Sequence, residues 1–267
     1  MTVTPRMTMN TSVLLEENDG GVLRLTLNRP DARNALSVVL MSALLEALAR
    51  AATDPQARVI VIAGAGPAFC AGHDLRELRT DARRETYEHV FAQCSELMLA
   101  IVRLPKPVIA EVHGVATAAG CQLVATCDLA VAAEDARFAT PGVNIGLFCS
   151  TPMVALTRAV GRKAAMEMLL TGKLIDAETA QAIGLINRVV SREGLRDAVD
   201  GLAREIASKS ALTVKIGKEA FYRQAELDLA AAYRYAAEIM ATNMLARDAG
   251  EGIDAFLAKR PPMWQDR

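Results

Sequence analysis

Residues 68–75 read Ala-Phe-Cys-Ala-Gly-His-Asp-Leu, and residues 114–123 read Gly-Val-Ala-Thr-Ala-Ala-Gly-Cys-Gln-Leu. In each stretch, small residues follow an apolar run typical of a strand and precede a predicted helix. Such a turn leaves backbone N–H groups unpaired at the helix N-terminus, where they and the helix dipole favour negative charge. Two turns of this kind, brought together, can stabilise one developing oxyanion. The pair therefore predicts a site that polarises a carbonyl group.

The composition of the chain limits the classes of function. It has 267 residues, of which 52% are hydrophobic, and a net charge of −1 from 30 Lys+Arg and 31 Asp+Glu. This length can bury a substantial core. The balanced charge argues against a general affinity for nucleic acid or for an anionic membrane surface. No apolar run approaches the length of a membrane span.

The cysteines and the N-terminal residues give an expectation of location. The five cysteines are odd in number and lack metal-ligand spacing, so we expect free thiols in a reducing compartment. The three histidines share no ligand spacing either, and no metal site is expected. Residues 1–10 hold one arginine and no apolar segment, so a secretory signal is not expected. The sequence thus favours the cytoplasm.

The pattern of apolar residues predicts an α/β fold. A hairpin is predicted at residues 13–28, because Asp-Gly-Gly separates two runs rich in valine and leucine. Further strands are expected at 58–63, 108–112 and 129–133, and helices at 38–52, 84–104 and 118–126. From Thr151 onward the pattern is almost entirely helical. We expect residues 1–205 to form the core that holds the site, and residues 206–267 a helical region for oligomerisation.

Three longer stretches carry a resemblance to a known family. They are AFCAGHDLREL (68–78), PKPVIAEVHGVATAAGCQLVATCDLAVA (105–132) and ARFATPGVNIGLF (136–148). With them, the chain resembles the crotonase (enoyl-CoA hydratase/isomerase) superfamily over roughly residues 12–260. The resemblance implies a spiral of ββα units and a C-terminal helical trimerisation region, giving a homotrimer or a hexamer. It also implies an acyl-coenzyme A thioester as substrate or ligand, with no separate cofactor.

The same resemblance implies the residues of the site. The two oxyanion-hole N–H groups would belong to His73 and Ala119. Ala119 stands where the family usually has glycine, which is tolerable only if its φ is negative. The implied substrate-binding residues are Arg33, Ala68, Cys70, Ala71, Asp74 and Leu75. The carbonyls of residues 68–71 would face the adenine, and Arg33 would meet a CoA phosphate or remain a solvated loop charge.

Two positions depart from the family pattern. Hydratases of this superfamily use two glutamates, and the matching positions here are Gln122 and Gly142. A glutamine can orient water but cannot accept its proton, and glycine has no side chain. Each acid–base group typically supplies about 10²–10⁴-fold in rate, so losing both would cost on the order of 10⁴ or more.

Other residues are candidates for the missing chemistry. Cys149 would be a nucleophile if a helix N-terminus lowered its pKa, or else a packing residue beside a Ser150 or Thr151 cap. Glu111 is a weak candidate for an acid of raised pKa, because a buried carboxylate needs a partner. Glu77 is expected to face solvent. The His73 side chain either orients the ligand or only borders the pocket.

The sequence therefore favours an acyl-CoA-binding crotonase homologue, of the kind catalogued as an enoyl-CoA hydratase. Two alternatives remain. One is another enolate reaction on an acyl-CoA, such as decarboxylation, isomerisation or hydrolysis. The other is a non-catalytic acyl-CoA sensor or assembly subunit that has kept the binding loops.

Overall fold

Two β-sheets organise residues 12–267, the part of the chain that the computed structural model describes. The strands in this part are β1 (Leu14–Asp19), β2 (Val22–Leu27), β3 (Val59–Gly64), β4 (Val108–Val112), β5 (Val115–Thr117), β6 (Leu129–Ala133), β7 (Arg137–Ala139), β8 (Ile175–Asp176) and β9 (Arg188–Val190). The larger sheet has the order β1-β2-β3-β4-β6-β9, and the smaller has the order β5-β7-β8. Among the strand pairs of the described residues, β1–β2 and β7–β8 are antiparallel and the others are parallel.

Helices connect the strands and form most of the C-terminal part. In residues 12–267 they are α1 (Val38–Thr53), α2 (Leu75–Thr80), α3 (Arg84–Arg103), α4 (Ala119–Thr126), α5 (Pro152–Ala159), α6 (Arg162–Thr171), α7 (Ala177–Ala182), α8 (Leu195–Ala207), α9 (Ala211–Gln224), α10 (Leu229–Met244) and α11 (Arg247–Leu257). None of them is long and apolar enough to cross a membrane. Short 3-10 turns lie at Pro30–Ala32 and Pro141–Ile145.

Both faces of the larger sheet are covered. The side chains of β3 are almost fully buried, which explains its continuous run of valine and isoleucine. Helices α1, α3 and α4 contribute to the core on one face. On the other face, Leu195, Val199 and Ala203 of α8 pack against Val61 and Ile109.

A buried ion network also holds α8 to the sheet. The guanidinium of Arg24, on β2, bonds the carboxylate of Glu111 on β4 and that of Asp200 on α8, the latter at 2.5 Å. Arg24 is only 4% exposed. An unpaired charge would be costly at such a position, so the two carboxylates are needed to keep the guanidinium there.

The smaller sheet and two isolated bridges show that the chain forms a spiral of repeated units. Its strand β5 pairs in parallel with β7, and isolated parallel bridges join Cys70 to Ala116 and Leu36 to His73. Each of these short pairings follows a strand of the larger sheet and precedes a helix, which is the repeated ββα unit. The repetition brings the turns after residue 72 and after residue 117 side by side.

Helix α9 is anchored to the core at the end of α4. The ammonium of Lys218 donates to the carbonyls of Ile101 and Lys106 and, at 2.7 Å, to the carboxylate of Asp128. The Tyr222 hydroxyl donates to the same carboxylate at 2.8 Å, and the Val108 N–H donates to it at 2.7 Å. These bonds cross the boundary predicted at residue 206.

The sequence predicted most of these elements correctly. The hairpin is confirmed, and α1 begins after Ser37, whose side chain accepts from the Leu40 N–H at 3.2 Å. The helix expected directly after the turn at residues 68–75 is α2, whereas the strands of the smaller sheet were not predicted, because two or three residues are too few to show a period. The part from Thr151 onward is mostly helical, as expected, and its last helix runs over Arg247–Leu257. The prediction for residues 1–10 lies outside the described residues.

Candidate active site

The turn at His73 presents one free backbone donor. The Leu36 N–H donates to the Gly72 carbonyl at 2.7 Å, and the Asp74 N–H donates to the Leu36 carbonyl at 3.1 Å. This pairing uses the groups on either side of His73. The N–H of His73 itself donates to no group within residues 12–267. Gly72 has a φ of 98°, a conformation that glycine adopts without strain.

The turn at Ala119 presents a second free donor. Ala119 is the first residue of α4, so its N–H has no partner in the helix, and it finds none elsewhere in residues 12–267. Its φ is not positive, which meets the condition set by the sequence. The strain falls instead on Ala118, whose φ is 50° and ψ is −117°. Such a residue costs about 1–3 kcal/mol and persists only where its surroundings enforce it.

The two turns are in direct contact. A Cβ built on Gly72 would lie 3.3 Å from the Ala119 nitrogen and 2.9 Å from the Ala118 Cβ. The lack of a side chain at Gly72 is therefore what allows this approach. Two free N–H groups in adjoining turns can donate to one carbonyl oxygen and stabilise the charge that it gains on enolisation.

Buried polar contacts hold the loop that leads to His73. The Asn34 amide donates to the carbonyls of Ala65 and Ala68, both at 2.8 Å, and its oxygen accepts from the Arg29 N–H. The Arg29 guanidinium pairs at 2.8 Å with Asp74, which also caps α2. Arg29 keeps the pKa of this carboxyl below its usual range. The sequence analysis did not identify these roles of Asn34 and Arg29.

Five of the six implied substrate-binding residues lie within residues 68–75, and Arg33 lies on the loop after β2; the assignment of all six stays a prediction. Ala68 and Cys70 are buried, and their carbonyls accept from Asn34 and from the Thr117 N–H. The Ala71 N–H donates to the Arg33 carbonyl at 3.0 Å, which places the Arg33 backbone beside residues 68–75. The side chains of Arg33 and Leu75 are exposed.

Gln122 stands one turn after Ala119 and is 4% exposed. Its Oε1 lies 3.9 Å from the Cys94 thiol, and its Nε2 has no hydrogen-bond partner within residues 12–267. The side chain is neutral and largely enclosed. It can donate to a ligand or a water molecule but cannot take a proton from water.

Gly142 is packed so tightly that any side chain there would force its neighbours to shift. A Cβ at this position would lie 2.7 Å from the Leu147 carbonyl oxygen and 2.9 Å from the Cys149 sulfur. The Gly142 N–H points to that sulfur at 3.4 Å, and its carbonyl accepts from the Leu147 N–H at 2.9 Å. The φ of Gly142 is not positive, so the obstacle to a larger residue is contact and not backbone strain.

The candidates for replacing the missing acids do not fit that role. Burial raises the pKa of Cys149, which contradicts an activated thiolate and favours a packing role. Thr151 occupies the N-cap position of α5, but neither its side chain nor that of Ser150 makes the capping hydrogen bond. Glu111 is paired with Arg24 under α8. Glu77 does not face solvent freely: its carboxylate accepts from the Val38 N–H at 3.1 Å.

The imidazole of His73 packs into the wall of the site. Its ring meets the edge of Phe91, on α3, at a centroid distance of 5.3 Å and an interplanar angle of 89°. Burial lowers the pKa of His73 to about 4, so the ring is neutral at pH 7. Its Nε2 is buried with no hydrogen-bond partner within residues 12–267. In the same part of the chain, no cluster of three or more histidine, cysteine or acidic side chains is arranged to hold a metal ion.

Comparison with known proteins identifies the family. A family model described as enoyl-CoA hydratase/isomerase matches residues 17–267. The chain belongs to this family. A Danio rerio protein named enoyl-CoA hydratase domain-containing protein 3, mitochondrial, is 49% identical over 257 residues, which cover 96% of this chain and 89% of that protein.

Solved structures agree with this assignment. An enoyl-CoA hydratase from Mycobacterium smegmatis superposes with a TM-score of 0.93 at 55% identity, over 95% of this chain and 99% of that one. Human enoyl coenzyme A hydratase domain-containing protein 3 gives a TM-score of 0.92 at 46% identity, over 95% of this chain and 100% of that one. The crotonase resemblance and the α/β spiral are thereby confirmed. Residues 116–125 and 138–152 also led us to expect, from the sequence, a likeness to the subgroup of the human protein, and this expectation is confirmed.

The expected cytoplasmic location is wrong on this comparison. The relatives from Danio rerio, Xenopus laevis, Rattus norvegicus and Homo sapiens are all named mitochondrial. Composition misled here for a physical reason. Unpaired cysteines indicate reducing surroundings, and they do not separate the cytoplasm from another reducing compartment.

Proposed function

We propose that this protein binds acyl-coenzyme A thioesters and polarises the thioester carbonyl through the N–H groups of His73 and Ala119. The observation that carries the proposal is the pair of unpaired donors in two adjoining turns. They are backbone groups, so substitution of their side chains leaves them in place. Preorganised donors of this kind need no rearrangement when charge develops on the oxygen.

The proposed activity does not include efficient hydration by the usual pair of acids. Gln122 is neutral, and the space beside Gly142 is taken by Leu147 and Cys149. The packing at Gly142 favours a ligand-binding protein, or an enolate reaction that needs no carboxylate at these two positions, over the ordinary hydratase reaction. Binding with turnover, measured on one panel of acyl-CoA esters, separates an enzyme from a sensor.

Isothermal titration calorimetry tests the binding itself. Butyryl-CoA should bind and free butyrate should not. The two turns are expected to hold the thioester carbonyl, and the loop at residues 68–71 is expected to hold the adenine, which free butyrate lacks. Ala119→Pro removes one donor at the first position of a helix, where proline is tolerated, and should weaken butyryl-CoA binding about tenfold. Ala118→Gly retains both donors and is the control. A folded protein that gives no heat with any acyl-CoA would refute the proposal.

The C-terminal helices support an oligomer, and a trimer or a dimer of trimers is proposed from the family likeness. No residue of α9 or α10 is buried in the single chain. Phe221, Tyr233 and Leu245 are 64%, 71% and 89% exposed. Apolar side chains so exposed on two successive helices are typical of an interface. A sedimenting species near 28.6 kDa at micromolar concentration would exclude the oligomer.

A further inference from the structure

A cavity of about 310 Å³ lies at the edge of the larger sheet opposite to the two oxyanion turns. Its lining includes Arg58 and Pro107, the residues just before β3 and β4, so it lies where these strands begin. The turns at His73 and Ala119 come after the other ends of the strands. Because β3 has six residues, about 17 Å of sheet separates the cavity from the proposed thioester site.

Most of the wall of this cavity is apolar. The end of α1 and the segment before β4 form one part of it, and the end of α8 with the first residues of α9 forms the rest. The larger apolar side chains of the wall are those of Pro55, Pro105, Pro107, Ile206, Leu212 and Val214. Pockets that take small organic ligands have volumes from about 300 Å³ upward and are lined in this way.

The charges of the lining are mostly positive. Its acidic residue, Asp266, is already paired with Arg58, whose guanidinium donates to both carboxylate oxygens, at 2.8 and 3.3 Å. The ammonium groups of Lys106, Lys209 and Lys215 also line the cavity, and none of them forms an ion pair within residues 12–267. The cavity therefore holds three positive charges that lack a carboxylate partner in this part of the chain.

Lys106 gains most from an added anion. Its half-buried ammonium donates to the carbonyls of Ala51 and Asp54, which leaves one of its three protons without an acceptor within residues 12–267. Burial lowers the pKa of Lys106; the Asp54 carboxylate opposes this effect, and Arg58 adds to it. The positive end of α9, a helix of 14 residues, lies at the same cavity. An anion bound there would be stabilised by both.

We infer that this cavity is a second ligand site, which binds a free fatty acid of medium chain length. Its carboxylate would lie among Lys106, Lys209 and Lys215, and its alkyl chain against the apolar wall. Each methylene that the wall removes from water should strengthen binding about fourfold. Butyrate, about four methylenes shorter than octanoate, should bind on the order of 10²-fold more weakly, which agrees with its expected failure to give heat. The inference does not depend on the proposed function.

Calorimetry on the full-length protein with octanoate, hexanoate, 1-octanol and octylamine tests the site. Octanoate should bind about tenfold more tightly than hexanoate, which buries less chain, and than 1-octanol, which has no charge. Octylamine should not bind, because its cation meets the lysines. Equal affinities for octanoate and octylamine, or for octanoate and hexanoate, would overturn the inference.

Competition locates the bound octanoate. Its affinity should be the same with and without saturating butyryl-CoA, because the two sites lie at opposite edges of the sheet. Displacement of octanoate by butyryl-CoA would place it in the thioester site and contradict a second site.

Variants assign the binding to the cavity. Val214→Asp puts a carboxylate into the wall and should weaken octanoate binding at least about tenfold, whereas Val214→Asn has the same shape without the charge and should weaken it much less. Lys209→Gln combined with Lys215→Gln should also weaken it about tenfold. Lys163→Gln combined with Lys173→Gln, at two exposed lysines outside the cavity, is the control of equal charge.

Circular dichroism and sedimentation accompany each titration and report folding and assembly. Equal octanoate affinities in the Val214→Asp and Val214→Asn proteins would overturn the inference. So would lysine variants that leave octanoate binding unchanged while Val214→Asp dissociates the oligomer, since the cavity would then belong to a contact between copies of the chain. The proposed function would stand in either case, because it depends on other residues.

Discussion

Two loops follow neighbouring parallel strands of the smaller sheet and have opposite characters. After β5, the turn at Ala118 leaves the Ala119 N–H unpaired beside the His73 turn. After β7, the loop around Gly142 closes on itself, because Leu147 and Cys149 take the bonds and the space that a side chain would need.

The difference separates two parts of one reaction. Polarising a carbonyl requires backbone donors, which the fold supplies whatever the side chains are. Moving protons requires particular side chains. The loop after β5 therefore offers a backbone donor, whereas the position of Gly142 in the loop after β7 offers no side chain for proton transfer.

The largest expected effect concerns hydration. Crotonyl-CoA hydration by the wild-type protein should be on the order of 10⁴-fold slower than by a relative that carries both glutamates, assayed in parallel. Gln122→Glu alone should recover little, because the second acid has no room beside Cys149. A wild-type rate equal to that of the relative would show that hydration does not depend on glutamates at positions 122 and 142.

The tight packing around Gly142 should affect the stability of the protein. Gly142→Ala should lower the free energy of unfolding by about 3 kcal/mol, since its Cβ meets a backbone oxygen at 2.7 Å. Gly201→Ala, at an exposed position of helix α8 where a Cβ would meet no atom within 4 Å, should raise the free energy of unfolding by about 0.5–1 kcal/mol. Chemical denaturation of both variants checks the contrast. Equal and small effects would mean that the loop yields easily and that Gly142→Glu remains feasible.

The buried, neutral imidazole of His73 should make the stability of the protein depend on pH. The pKa of His73 is lowered to about 4 in the folded state, whereas its ordinary value is 6.5. Above pH 6.5 the ring is neutral in both states; as the pH falls from 6.5 to 4, the unfolded chain takes up the proton first, and stability is lost. The wild type should lose about 2 kcal/mol more over this range than His73→Phe. Parallel stability curves for the two proteins would contradict the burial of this ring.

The smallest expected effect concerns the strained backbone of Ala118. Ala118→Gly should raise the free energy of unfolding by about 1 kcal/mol, because relief of about 1–3 kcal/mol of strain exceeds the flexibility cost of glycine, about 0.5–1 kcal/mol. Thermal and chemical denaturation report it. A loss of stability would show that the packing of the Ala118 Cβ outweighs its backbone strain.

The sequence revealed the parts of the site that depend on local pattern. Small residues between a strand and a helix predicted the turns at His73 and Ala119, and the helix predicted at 38–52 begins at Val38. It missed what depends on distant residues meeting, such as Asn34 with Ala68. The same limit applied to Glu111, whose partner Arg24 lies 87 positions away in the chain. Whether Gly142 could hold a larger residue was likewise visible only once its neighbours were placed.

The bonds of Asp128 bear on how this protein can be divided. Asp128 follows α4, the helix whose first residue is Ala119, and two of its three donors, Lys218 and Tyr222, belong to α9. A fragment ending at residue 205 would keep only the Val108 donor. Shortening the chain at residue 205 would therefore remove two of the three donors that hold the far end of the helix beginning at Ala119, so this carboxylate ties residues 1–205 to residues 206–267.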